Sequence, residues 1–378
     1  MAQSRIKAAL MPLPALTPLA ASLPETVPFV GPESIERTRG IRFRARLGAN
    51  ESSFGPSPAV IAAIAAAAPE SWKYCDPEVF DLRQALARHH GVTPDEVSVG
   101  EGIDGLLGHC IRLFAAPGDV VVTSIGAYPT FNYHVTSFGA RLHAVPYRDD
   151  REDLDALLAA VRETDAKIVY LANPDNPMGT WWDADAVTAF ADALPPTTLL
   201  LLDEAYGEFA PPGTLPPIDT GRGSVLHLRT FSKAYGLAGL RCGYAIGPGP
   251  LTGAFNRVRN HFGVSSITQA AALAALADQD YLASVVTQTG AARQRIDTIA
   301  RANGLIPLPS ATNFVAVDCG RDGAFAQNVL NALTDLGVFI RKPMAPRLDR
   351  CIRITAGTDA MLNVLETALP EALTTARR

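Results

Sequence analysis

The sequence predicts an α/β protein: a large unit with a mainly parallel sheet of seven strands flanked by helices, then a smaller α+β unit toward the C-terminus. Three observations carry this. From about residue 57 to residue 246, short β-rich runs alternate with helical patterns long enough to be crossover connections, so the sheet is mainly parallel. The run Leu199-Leu200-Leu201-Leu202 is apolar at every position, as a strand covered on both faces requires. Beyond about residue 250 the texture changes to long helices with scattered strands.

The elements follow in order. Helical patterns span residues 59–67 and 79–90. A short strand over 96–99 leads into a helix over 103–114. A β-rich run at 119–124 precedes a helical stretch at 128–138 and a strand at 141–146. A helix over 153–161 then gives way to a buried strand at 167–172, and a helix over 183–193 to the apolar strand at 198–203. Strands at 224–228 and 242–246 complete the large sheet. In the second unit, 267–277, 281–302, 325–336 and 359–373 read as helices, and 314–317, 338–341 and 351–354 as strands. The expected division is an N-terminal arm (1–46) packed on the small unit or on a partner subunit, a large unit (47–255) and a small unit (256–378).

Bulk properties narrow the function. The 378 residues suffice for about two to three domains and a large core. With 48% hydrophobic and 19% charged residues the composition is globular. A net charge of −5 argues against a nucleic-acid partner, and no apolar stretch is long enough to span a membrane. Cys75, Cys110, Cys242, Cys319 and Cys351 are odd in number and scattered, without a C-x-x-C pair. They read as reduced thiols of a cytoplasmic protein. Arg5 and Lys7 precede an Ala/Leu-rich stretch, but Pro12, Pro14 and Pro18 interrupt it, so residues 1–28 read as a flexible arm that docks elsewhere and not as a secretion signal.

The chemistry gathers around Lys233. It stands in Thr230-Phe231-Ser232-Lys233, with Arg241 eight positions on in Gly239-Leu240-Arg241-Cys242-Gly243. Upstream, the four-leucine strand ends in Asp203-Glu204-Ala205-Tyr206, and Tyr170-Leu171-Ala172 runs into Asn173-Pro174-Asp175-Asn176-Pro177. An amine able to form a Schiff base, a carboxylate able to pair with a ring nitrogen, and hydroxyls with an arginine able to take a phosphate are the parts that hold pyridoxal phosphate. Most lysines are solvated, but Lys233 has Ser, Thr and Gly neighbours instead of the charged ones of a solvated face. Gly100-Glu101-Gly102-Ile103-Asp104-Gly105 matches G-x-G-x-x-G between a strand and a helix. Of the acidic residues a dinucleotide ribose needs, only Asp119 is close, and it starts the next strand instead of ending it, so the helix N-terminus is assigned to the phosphate of pyridoxal. The hhhhDE pattern at Asp203-Glu204 lacks the G-x-x-x-x-G-K-[ST] partner of a nucleotide triphosphatase.

Other positions admit two readings. Tyr128, in Gly126-Ala127-Tyr128-Pro129-Thr130, is either core or a ring stacked on a pyridine face. Arg353, inside the apolar Cys351-Ile352-Arg353-Ile354-Thr355, is either an exposed edge-strand residue or a buried cation awaiting a substrate carboxylate. Arg341 poses the same choice, and two arginines on one cleft suit a substrate with two anionic groups. His89-His90 face different ways on a helix and cannot readily share a metal; Trp181-Trp182 read as packing.

With these residues in place, the chain resembles the fold type I aminotransferases, and among them the histidinol-phosphate aminotransferase group, from about residue 27 onward. The likeness is carried by Leu47-Gly48-Ala49-Asn50-Glu51 with Gly55-Pro56-Ser57-Pro58, by Tyr74 with Asp76-Pro77 and Leu82-Arg83, by the block from Arg229 to Gly243, and by Cys351–Gly357. The resemblance implies that Lys233 forms the Schiff base and shuttles the proton, that Asp203 pairs with the pyridine nitrogen, and that Asn176 and Tyr206 hydrogen-bond the ring hydroxyl. It implies that Tyr128 stacks on the ring, and that Gly102, Ile103, Asp104, Thr230, Ser232 and Arg241 surround the phosphate. Tyr74 would reach that phosphate from the neighbouring subunit of a homodimer. Arg353 would hold the substrate carboxylate, with Arg341, Asn50 and Phe29 also on the substrate side. Two motifs depart from the group: the asparagine motif carries Asp175 and Met178, and the N-terminal Pro-Tyr is Pro28-Phe29, without the phenol hydroxyl. The implied reaction is ping-pong transamination between a small-molecule amino donor and a keto-acid acceptor. An aromatic or other amino acid as donor, a decarboxylase or synthase on the same fold, a nicotinamide oxidoreductase and a non-catalytic module are the alternatives.

Overall fold

The computed structural model describes residues 14–25 and 30–378. Its twelve strands are β1 (Ala45–Arg46), β2 (Val97–Gly100), β3 (Val120–Ser124), β4 (Arg141–Val145), β5 (Ile168–Ala172), β6 (Leu199–Asp203), β7 (Val225–Thr230), β8 (Gly243–Ile246), β9 (Ile306–Pro307), β10 (Phe314–Asp318), β11 (Val338–Phe339) and β12 (Cys351–Thr355). Seven form one sheet in the order β2-β8-β7-β6-β5-β3-β4, in which β8 alone runs antiparallel to its neighbours. The fold class is therefore as the sequence predicts.

Period-two alternation explains the four leucines of β6. Leu199 and Leu201 pack with Leu106, Leu107 and Phe131 on one face; Leu200 and Leu202 pack with Leu157, Val161 and Phe190 on the other. Both faces are covered, so no polar side chain interrupts the strand until its end. In register, Ala172 lies beside Asp203 and Asp203 beside Leu228, so β5, β6 and β7 finish together at one rim. Ligands bind at this rim in open parallel sheets.

Behind the rim lies a buried ion cluster. Glu204 is fully buried; its carboxylate accepts from Arg229 Nε at 2.8 Å and contacts His227 Nδ1 at 3.1 Å. Burial pushes its carboxyl up, but Arg229 and His227 outweigh this and hold it below the usual carboxylate range.

The smaller antiparallel sheet has the order β12-β10-β9 and packs under the helices Gln279–Ala302, Gly323–Asp335 and Asp359–Ala376. Ala45 and Leu47 join that core because β1 pairs in parallel with β11. The strand expected over 338–341 is shorter: β1 offers only two partners, and Arg341 instead exchanges backbone hydrogen bonds with Arg353. The short helices Pro18–Ser22, Pro32–Arg39 and Gly249–Ala254, and the two-residue strands β1 and β9, are absent from the sequence expectation. Pro32–Arg39 has no apolar stripe, and its signals are Pro at its start and left-handed Gly40 at its end. Among the described residues no helix is long and apolar enough to cross a membrane.

Arg229→Met leaves Glu204 buried without its main partner. The expected loss is about 3–5 kcal/mol of unfolding free energy in urea titrations. Because the folded carboxyl titrates below its free value of 4.5, the stability supplied by Glu204 is complete above that pH and is lost as pH falls below it. Glu204→Gln should lack this acid-side component.

Candidate active site

The rim opens into a cleft of about 690 Å³. One wall is the end of the large sheet; the other is the 49–51 segment, residues 341–345 and Arg353. Lys233 reaches it because the chain bends after β7 around fully buried Phe231. Gly236 completes the bend at φ +73, where a Cβ would lie 2.6 Å from the Gly55 carbonyl oxygen. Lys233 Nζ donates to the Asn50 carbonyl at 3.2 Å and lies 5.6 Å from the Tyr206 ring centre. Burial, reinforced by Arg353 and Arg241, brings its amine down to about 8.

Asp203 ends β6 almost wholly buried. It accepts from Tyr170 Oη at 2.7 Å and from the Ala205 N–H at 2.9 Å. Desolvation still dominates and holds its carboxyl up at about 6. A protonated ring nitrogen is the partner such a desolvated carboxylate lacks.

An anion site occupies the adjacent corner. The helix Gly102–Phe114 starts with no side-chain cap, leaving its first N–H groups free for a ligand. Arg241, itself left-handed at φ 54, donates to Ser232 Oγ at 3.3 Å and to the Glu101 carbonyl at 3.4 Å. Thr230 Oγ1 lies 3.0 Å from Ser232 Oγ. At Gly102 (φ +77) a Cβ would come within 2.4 Å of the Arg241 guanidinium, so glycine is what lets helix start and arginine converge. Ile103 and Asp104 line the same corner, with Asp104 held 3.2 Å from His134 Nε2. Cationic and N–H donors beside an amine and a buried acid fit pyridoxal phosphate.

Across the cleft, Arg353 Nη1 donates to Asn176 Oδ1, and Nη2 donates to the Gly48 carbonyl at 3.3 Å. Its Nε is buried without a hydrogen-bond partner. Burial brings its guanidinium down to about 10. Arg341 lines the same wall and donates to the Val30 carbonyl. Tyr206 Oη accepts from Asn50 Nδ2 at 3.0 Å. Tyr128 both packs on the core and lines the cleft, and burial raises its phenol to about 12. The structure thus brings together on one cleft every expected site residue save three. Gly102 stands directly behind Arg241. Tyr74 is 84% exposed, stacked on Phe262 with ring centres 4.8 Å apart, and does not line the cleft of its own chain. Phe29 lies outside the described residues.

Residues 45–369 match the family described as aminotransferase class I and II. The chain belongs to that family. The histidinol-phosphate aminotransferase of Sinorhizobium meliloti, solved in complex with pyridoxal-5'-phosphate, is 56% identical; the match covers 97% of this chain and 99% of that one, with a TM-score of 0.93. Histidinol-phosphate aminotransferase 1 of Nitrosococcus oceani is 37% identical over 90% of this chain and 92% of the relative. The aspartate aminotransferase of Thermus thermophilus solved with maleate, 21% identical with a TM-score of 0.80 over 96% of this chain and all of that one, shares the fold.

Several residues of this aminotransferase escaped the sequence reading. Tyr170, a phenol in an aliphatic buried strand, was the available signal for a partner of Asp203. Asp175, the departure in the asparagine motif, points away from the cleft: it accepts from Tyr147 Oη at 2.7 Å and from the Met178 N–H at 2.9 Å, and burial raises it to about 7. Thr355 and Asn313 hold Asn50 and carried no local signal.

In cofactor-free protein, Lys233 should react with a small acylating reagent with a midpoint near pH 8, far below the 10.5 of a solvated lysine. Below that pH its amine is protonated and inert; above it the amine is neutral and reactive. Peptide mass spectrometry across pH reads the midpoint, and reaction only near 10.5 contradicts the buried amine.

Proposed function

We propose that this aminotransferase holds pyridoxal phosphate on Lys233 and moves the amino group of an amino-alcohol phosphate, histidinol phosphate, to a keto acid such as 2-oxoglutarate. The observation that carries the proposal is the convergence of Lys233, Asp203 and the Gly102–Arg241 corner on one cleft faced by Arg353.

When bound, the cofactor supplies a protonated ring that takes up the electron pair released at the substrate α-carbon. Asp203 holds the proton at the ring nitrogen, and Tyr170 keeps the carboxylate oriented. Lys233 Nζ would be the group that takes the substrate α-proton and hands a proton back; an amine near 8 suits a general base at neutral pH. Arg241, Ser232, Thr230 and the helix start bind the phosphate. Tyr128, Asn176 and Tyr206 line the same cleft, where Tyr128 would cover a ring face and Asn176 with Tyr206 would hold the ring hydroxyl. Arg353, with its unpartnered Nε, receives the substrate anion; Arg341 beside it supplies a second cation.

The names of the S. meliloti and N. oceani relatives support histidinol phosphate as the donor. Phe29, without a phenol hydroxyl, favours aromatic amino acids as the second reading. A homodimer, with Tyr74 entering the partner's cleft, is supported by the exposure of Trp72, Tyr74, Phe80 and Phe262. The division into arm (1–46), large unit (47–255) and small unit (256–378) is supported by the separate cores of the two sheets, although Leu47 packs with the smaller one. Five buried free thiols support a cytoplasmic setting.

Three outcomes are expected. In a screen of donors against 2-oxoglutarate, histidinol phosphate should give the highest kcat/KM, and Lys233→Ala should lower turnover at least about 10³-fold with the fold retained by circular dichroism. Preference for phenylalanine or tyrosine selects the second reading, and release of carbon dioxide instead of a keto product excludes transamination. Sedimentation should give a dimer; a monomer of full activity removes the assigned role of Tyr74.

A further inference from the structure

We infer that Thr355 is a positioning residue. Through Asn50 it fixes the direction of the Tyr206 hydroxyl proton, and with it the basicity of the nitrogen that joins the cofactor to Lys233. The inference rests on the proposed attachment of pyridoxal phosphate at Lys233.

Hydrogen-bond direction propagates through this network one atom at a time. Asn50, Thr355 and Asn313 are each only 2% exposed, and their side-chain polar atoms find partners within this network save Asn313 Oδ1, which is buried without one. Asn50 sits at φ 55, a left-handed conformation that asparagine tolerates. This aims its backbone N–H at Thr355 Oγ1, 3.1 Å away. An N–H can only donate, so Thr355 spends a lone pair there and sends its own proton to Asn50 Oδ1, 3.0 Å away. That contact assigns the amide: oxygen toward Thr355, nitrogen toward Tyr206, to which Nδ2 donates at 3.0 Å. Tyr206 Oη therefore accepts from Asn50, and its own proton is directed elsewhere. Burial holds that phenol well above its usual range, so the proton stays on it. Tyr206 lines the cleft, which leaves this proton available to the ring oxygen of the cofactor.

The Asn50 carbonyl closes the network. It accepts from Lys233 Nζ at 3.2 Å and from Asn313 Nδ2 at 3.0 Å, so Asn313 steadies the oxygen against which Lys233 rests. Thr355 follows Arg353 by two positions on β12, on the same side of the strand. The strand that presents Arg353 to the substrate anion thus also sets the proton order at Tyr206.

A hydroxyl that donates to the ring oxygen draws negative charge away from the neighbouring linkage nitrogen and makes it less basic. Removing the donor order makes that nitrogen more basic. The pH titration of the visible band of the cofactor-loaded protein reads this directly. Thr355→Val, isosteric but without the hydroxyl, should raise the midpoint by about one pH unit, the worth of one hydrogen bond. Thr355→Ser should restore the wild-type midpoint, and in a Tyr206→Phe background Thr355→Val should add no further shift. An unmoved midpoint in Thr355→Val, or an equal shift without the Tyr206 hydroxyl, overturns the positioning role. If Thr355→Val does not fold, Asn50→Gly, which keeps the left-handed backbone, should give the same upward shift, and an unmoved midpoint there is equally fatal. A wild-type protein with no borohydride-reducible link to Lys233 overturns the attachment and this inference with it, whereas a normal wild-type titration with unresponsive variants overturns the inference alone.

Discussion

Removing an amine and a carboxylate from water at the same end of one sheet is the constraint on which the rest of this structure depends. Lys233 and Asp203 are both desolvated, and each is shifted toward its neutral form by that burial. Neither charge would persist there without compensation. Tyr170 and the Ala205 N–H steady the carboxylate, while the Asn50 carbonyl receives the amine. The aliphatic faces of β5 and β6 provide the dry surroundings that make both shifts possible.

The cleft is built from segments far apart in the chain, and its precision comes from close backbone approach. Gly102 and Gly243 let the start of a helix, the end of β7 and the Arg241 side chain share one corner; a Cβ on Gly243 would lie 2.8 Å from the Ile103 nitrogen. Gly126 does the same on the far side, where a Cβ would stand 2.6 Å from that of Ala345. The 49–51 segment lies between the two sheets. Its neighbours on one side are β12 and Asn313, and on the other Tyr206 and Lys233. Substrate-side and cofactor-side groups therefore share a single hydrogen-bonded strip of backbone, and a shift of either wall is felt at Lys233.

Charge is managed differently behind the rim. Glu204, next in sequence to Asp203, points to the opposite side of the sheet and is neutralised by Arg229 and His227. Adjacent acids thus take opposite roles because a strand turns successive side chains to opposite faces. One remains poorly compensated beside the cleft, and the other is firmly paired in the interior. Asp175 and Asn176 repeat the arrangement: Asp175 is satisfied inside by Tyr147, and Asn176 faces Arg353 in the cleft.

The sequence by itself determined the layers, the parallel sheet and the residues at its rim. Apolar alternation, crossover spacing and turn residues are local properties, and they reach these residues because Asp203 ends β6, Asn176 and Lys233 lie in the turns just after β5 and β7, and Arg241 lies just before β8. What only the tertiary structure decided is who touches whom across the cleft. Tyr170 as the partner of Asp203, Arg353 on Asn176, and Thr355 and Asn313 on Asn50 join residues 33 to 305 positions apart. β1 and β11 likewise exist as strands only because they meet, 293 positions apart in register. Hydrogen-bond partners at such separations are set by strand pairing within a sheet and by the packing of the two sheets together, long-range effects that leave no periodic trace in a one-dimensional string.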